Sequence, residues 1–164
     1  MIVMFYNEEI IDDKRIDNES SIYLAGPTRW NQHLVSWRKE AIEILKLLEY
    51  DGFVYAPEYS IDKFEENYKE MASWRKEKLQ IATTIVFWVP KNYPISNCSN
   101  AEFAYWLAKR KEDFIYGREV VNSNYKERMY LDWLYEEEKR SRPFDMLEEL
   151  LKEAVINATE LKIK

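Results

Sequence analysis

Four short runs of apolar and aromatic residues, Ile22–Ala25, Phe53–Ala56, Ile85–Val89 and Phe114–Tyr116, recur along the chain, with longer stretches of helical spacing between them. Continuous apolar runs of this length suit strands buried on both faces. Their alternation with helices predicts a parallel sheet covered on both sides. Gly26 and Pro27 close the first run and Pro57 the second, while Pro90 follows the third and Gly117 the fourth. The expected fold class is therefore α/β: a flavodoxin-like or Rossmann-like three-layer sandwich with four to five parallel strands. No G-x-G-x-x-G or Walker A pattern occurs, and the chain holds only three glycines, so the standard phosphate cradles are missing.

The helices have their own signals. Ser36 is a good N-cap for a helix over 37–50 carrying Trp37, Ala41, Ile44, Leu45 and Leu48, with Gly52 as its stop. Met71, Trp74, Leu79 and Ala82 mark a second helix that feeds the strand at 85–89, and Phe103, Ala104, Leu107 and Ala108 a third that runs to Lys111. A fourth over 125–138 is expected to turn Met129, Trp133 and Leu134 inward. Asp145 and Glu148 read as a capping box for a last helix with Leu147, Leu150, Leu151, Val155 and Ala158 inside. Residues 1–20 read as an N-terminal extension whose Ile2–Tyr6 run could form an edge strand, and 21–164 as one domain.

Composition excludes several kinds of chemistry. A single cysteine, Cys98, makes neither an internal disulfide nor a cysteine-rich metal site, and a single histidine, His33, argues against multi-His zinc sites. No metal and no cofactor is expected. A formal net charge of -6 disfavours a nucleic acid polymer as partner. The acidic N-terminal stretch lacks a signal-peptide pattern and no segment approaches a membrane span, so a cytoplasmic protein without a membrane partner is expected.

In parallel α/β sheets ligands sit beyond the carboxyl ends of the strands, which directs attention to three loops. Gly26, Pro27, Thr28 and Arg29 follow the first strand, Pro57 and Glu58 the second, and Asn100 and Glu102 come after the third. Gly26 would let backbone approach a ligand, Arg29 could meet an anion, and Trp37 could stack on a planar group. Each also has a plainer explanation: Arg29 as a solvated surface residue, Trp37 as a core anchor. Glu102 is a candidate nucleophile, yet Ser99-x-x-Glu102 also matches a capping box.

The stretches SIYLAGPT, SWRKEA, GFVYAPE, IVFWVPK, SNAEF and YLDWLY, in this order over about residues 21–151, resemble the nucleoside 2-deoxyribosyltransferase-like family. The resemblance implies that Glu102 is the catalytic nucleophile of a double displacement on a nucleoside, with a second base or water as acceptor. It also implies small-molecule partners, a nucleoside or nucleotide and a free nucleobase, and a homo-oligomer. An interface on the aromatic helix over 125–135 is expected. A close variant acts on a 5′-monophosphate, with Arg29 or Arg38 near the phosphate; another is a non-catalytic nucleotide-binding or interaction module on the same fold. The family commonly carries an acid just behind the residue equivalent to Trp74, but Arg75 stands there in this chain. Glu77 and Glu58 are the alternative candidates for the acid that assists the leaving base, and Trp74 a candidate substrate contact.

Overall fold

In a computed structural model, residues 1–6, 19–28, 35–58, 68–91, 93–120 and 126–161 are described. Five strands form one open sheet: β1 (Ile2–Phe5), β2 (Ser21–Ala25), β3 (Phe53–Ala56), β4 (Thr84–Val89) and β5 (Phe114–Arg118). Their spatial order is β1-β3-β2-β4-β5 and every pairing is parallel. The Ile2–Tyr6 run does form an edge strand, pairing with β3 from Ile2 opposite Phe53 to Phe5 opposite Ala56.

Five helices cover the sheet: α1 (Trp37–Leu47), α2 (Tyr68–Ile81), α3 (Asn97–Lys109), α4 (Lys126–Lys139) and α5 (Leu147–Leu161). Strand alternation splits the core in two. Tyr23, Tyr55, Phe87 and Tyr116 face α2, α3 and α4, whereas Ile22, Leu24, Val54 and Val86 face α1 and α5. This is the three-layer, flavodoxin-like α/β sandwich expected. The central strands are buried at every position because helices lie on both faces.

Several boundaries differ from the sequence reading. Helix α1 ends before Gly52, with Leu48 as C-cap and Glu49 taking the left-handed φ of 55° just beyond it. Helix α4 is rotated relative to expectation: Leu131 and Tyr135 are buried, while Met129 and Trp133 are exposed. Helix α5 begins at Leu147, two residues after Asp145, and the Asp145 carboxylate is instead engaged by Arg118 on β5 together with that of Asp132.

Strand order reverses between β2 and β4. The chain leaves β2 for α1 on one face of the sheet and leaves β4 for α3 on the other, which opens a crevice at their carboxyl ends.

Candidate active site

The loop after β2 is held from below by a buried polar cluster. Gly26 has φ +126°, and a Cβ there would stand 2.2 Å from the Trp88 carbonyl oxygen, so only glycine lets this turn pack on β4. Arg38, wholly buried on α1, donates from Nε to the Leu24 carbonyl and from Nη2 to the Gly26 carbonyl, both at 2.9 Å. Its charge is met by Glu58 at 3.4 Å. Burial lowers the Arg38 pKa, and Glu58 acts against that shift. Ser36, the α1 N-cap, donates its hydroxyl to the Glu58 carboxylate at 2.7 Å, and the Trp37 indole N–H reaches the Pro27 carbonyl at 3.0 Å.

These contacts change the parts assigned to several residues. Glu58 is a buried carboxylate committed to Ser36 and Arg38, not a free acid beside a base. Arg38 has its donors turned to backbone and to Glu58 and is not available to a phosphate. Trp37 fixes the Pro27 turn from the core. Pro27 and Pro57 are buried and Thr28 is exposed at the end of its turn, while Arg29 lies outside the described residues.

Glu102 lies one helical turn further along than a capping role requires. The N-cap of α3 is Ser96, whose hydroxyl accepts from the Ser99 N–H at 3.1 Å, so Ser99 is the third helical residue and no acid occupies the first turn. Freed from the helix end, the half-buried Glu102 carboxylate accepts from Arg75 Nη2 on α2 at 3.0 Å. For Arg75, burial opposes the charge, but Glu102 and Tyr23 together outweigh it and the guanidinium pKa is raised. Tyr23 reaches this pair from β2. Its hydroxyl is buried beside Arg75 and Glu102, and its pKa is raised by burial first and by the Glu102 charge second, with Arg75 acting against the shift.

Arg75 and Glu102 sit in the wall of a groove of about 500 Å³ between α2 and α3, with Tyr68, Met71, Ala72 and Tyr105 among its lining. Asn100, two residues before Glu102 on α3, is not part of this lining and keeps its buried Oδ1 unpaired. Glu77 is not part of this centre: its side chain is 62% exposed and pairs with Lys78 at 2.6 Å. Trp74 packs edgewise on Tyr6 and Tyr55 in the core, with ring centroids 6.0 and 6.5 Å away. Among the described residues no group of three or more His, Cys, Asp or Glu could hold a metal ion, and no helix is long and apolar enough to cross a membrane.

Sequence reasoning therefore singled out Glu102 but passed over Tyr23 and saw Arg75 only as a departure, and Asn100 is not brought into this group. A signal for Tyr23 was present: it shares strand parity with Ala25 and so faces the same helical layer as α3, which carries Glu102.

An open parallel sheet, with a carboxylate held at a groove between two of its covering helices, defines a flavodoxin-like α/β protein with a candidate carboxylate-centred site. Residues 19–119 match the family model described as nucleoside 2-deoxyribosyltransferase like, and the chain belongs to that family. The match covers β2 through β5 and the helices between them, and so includes Tyr23, Arg75 and Glu102. No curated protein matches the chain.

Proposed function

We propose that the protein cleaves the N-glycosyl bond of a (deoxy)nucleoside by double displacement through Glu102. The observation that carries this reading is the release of Glu102 from helix capping: its carboxylate, held by Arg75, faces a groove large enough for a nucleoside. In the first step a Glu102 oxygen attacks C1′ and the base leaves, giving a glycosyl ester through an oxocarbenium-like transition state. A second base or water then attacks that ester and regenerates the carboxylate. The nucleoside, the free base and a second copy of the chain are the partners this reading implies, in a cytoplasmic setting.

The test is incubation with deoxynucleosides and their 5′-monophosphates, with and without an acceptor base, followed by chromatography. Trapping with 2-fluoro-2-deoxy sugars and mass spectrometry of the Glu102 peptide complete it. Base release with a Glu102 adduct is expected, and Glu102→Ala should bind nucleoside without forming the adduct. Faster release from monophosphates would identify the nucleotide as substrate.

A second reading is favoured by one observation. The ion pair with Arg75 occupies one carboxylate oxygen of Glu102, as in a binding module that kept the fold without turnover. Folded wild-type protein that binds nucleoside but never yields the adduct would establish that reading instead.

A further inference from the structure

In a double displacement the nucleophilic carboxylate changes charge twice, while a guanidinium beside it stays charged throughout. Arg75 Nη2 holds Glu102 Oε2 at 3.0 Å, and the two side chains are only 21% and 13% exposed. The contact is made through Oε2, which leaves Oε1 as the oxygen for attack. No neighbour among the described residues can replace the carboxylate as counter-ion once it is esterified. Glu102 is the only carboxyl group among the described residues lining the groove, and Lys76 adds a second cation there. Glu58 is already the partner of Arg38. Tyr23, beside the pair, has its phenol pKa raised by burial above all, so it offers Arg75 a neutral oxygen and no charge.

We infer that Arg75 is a positioning residue that acts through Glu102 to shorten the life of the glycosyl ester, an inference that rests on the proposed double displacement. In the first step Oε1 bonds to C1′ while the C1′–N bond breaks, and its electron pair leaves on the base, which takes a proton from solvent. The carboxylate charge is then gone, and Arg75 faces a neutral ester. A largely buried cation that has lost its counter-ion is unfavourable. In the second step a water oxygen bonds to C1′, the C1′–Oε1 bond returns its electron pair to Glu102, and the water releases a proton to solvent. Here the departing group is a carboxylate that forms beside a guanidinium already in place, and a fixed charge of this kind stabilises developing charge without reorganisation. In the transition states of both steps Glu102 carries part of its charge. Arg75 therefore raises the barrier to ester formation and lowers the barrier to ester breakdown, and the ratio of the two rates contains the whole effect of the ion pair. The arginine at position 75 thus bears on the lifetime of the intermediate, not on the choice of base.

A 2-fluoro-2-deoxynucleoside allows the two rates to be measured separately. Intact-protein mass spectrometry follows ester formation at saturating compound and, after the compound is removed, the return of unmodified protein in water. Arg75→Gln should shift the ratio of formation to breakdown toward the ester by on the order of 10-fold, the effect of one charge-assisted hydrogen bond, with nucleoside affinity little changed. Most of that shift should appear as a longer-lived ester. Arg75→Lys keeps the charge and should restore a short lifetime at least in part. Arg75→Met takes the place of Arg75→Gln if circular dichroism shows that the latter does not fold. A purely structural loss slows both steps together and leaves their ratio where it was. An unchanged ratio in the folded Arg75→Gln or Arg75→Met variant, or an Arg75→Lys ester as long-lived as theirs, overturns the assignment while leaving glycosyl transfer intact. Absence of both adduct and base release from wild type and every variant overturns the glycosyl transfer itself.

Discussion

Arg38 is a wholly enclosed cation whose donors reach two backbone carbonyls and one carboxylate, so its neighbours control the shape of the loop after β2. Removing Glu58 leaves that charge without its counter-ion. Breaking a buried pair from one side typically costs about 3–5 kcal/mol, whereas replacing both partners by apolar groups of similar volume is often neutral. Glu58→Ala is therefore expected to lose stability in that range in urea denaturation, and Arg38→Met/Glu58→Leu to lose clearly less than the sum of its parts. If the single variant is as stable as wild type, the cluster is not the support described. At the start of α3, Ser96→Ala should cost about 1 kcal/mol through loss of the bond to the Ser99 N–H. Ser99→Ala should cost less, because Ser99 contributes only a hydroxyl contact to Ser96 at 3.0 Å. The sequence could not separate these two serines. Ser96 and Ser99 are both competent caps three residues apart, and choosing the later one makes Glu102 a capping residue. Only the path of the chain after Pro90 decides which serine starts the helix, and that path is tertiary information.

At the level of elements, strands were more legible than helix faces. A buried parallel strand is apolar at every position, so β3 and β4 stand out without any need to know which side is which. A helix must be rotated correctly, and α4 carries two apolar stripes. Met129 and Trp133 form one, four residues apart; Leu131 and Tyr135 form the other on nearly the opposite side. The second stripe is buried because Tyr135 packs on Tyr116 of β5, with ring centroids 5.5 Å apart, and because Asp132 must reach Arg118 and the Tyr116 hydroxyl. A polar anchor on β5 thus fixes the rotation, and nothing within the helix announces it. Leu131→Ala should cost about 2–5 kcal/mol as a core truncation. Trp133→Ala, at a side chain 54% exposed, should stay within about 1 kcal/mol, although tryptophan is the larger residue. Midpoints of urea unfolding for the two variants check the assignment, and a reversed order would restore the original face. The same reasoning explains the acid candidates. Glu77 is two positions past Arg75 on α2 and points to another side of the helix, so proximity in sequence to Trp74 did not translate into proximity to Glu102.

Across the whole molecule, the sheet and its two helical layers enclose phenol groups that an average core would avoid. Of twelve tyrosines, Tyr23, Tyr50, Tyr116 and Tyr135 have hydroxyl pKa values raised above the ordinary 10, each chiefly by burial. Asp132 beside Tyr116 and Glu102 beside Tyr23 add to the effect. The sign of the pH dependence follows. In the unfolded chain these phenols lose their protons near pH 10, while the folded state keeps them, so the stability difference is complete below that pH and declines above it. The slope is about 1.4 kcal/mol per pH unit for each phenol held protonated. Lys139, whose pKa burial lowers, works in the opposite direction, but as a single, partly exposed group. With four phenols against one ammonium, stability in urea should fall steeply between about pH 10 and 12, on the order of several kcal/mol in all. Absorbance near 295 nm provides an independent reading. The exposed tyrosines should ionise reversibly around pH 10, and the buried set only together with the loss of near-ultraviolet circular dichroism. If all the phenols titrate in one reversible step with the fold intact, the two-faced burial of the sheet is wrong. If the buried set ionises only on unfolding, Tyr23 is protonated whenever the protein is folded, and it stands beside Arg75 and Glu102 as a neutral phenol and not as a second negative charge.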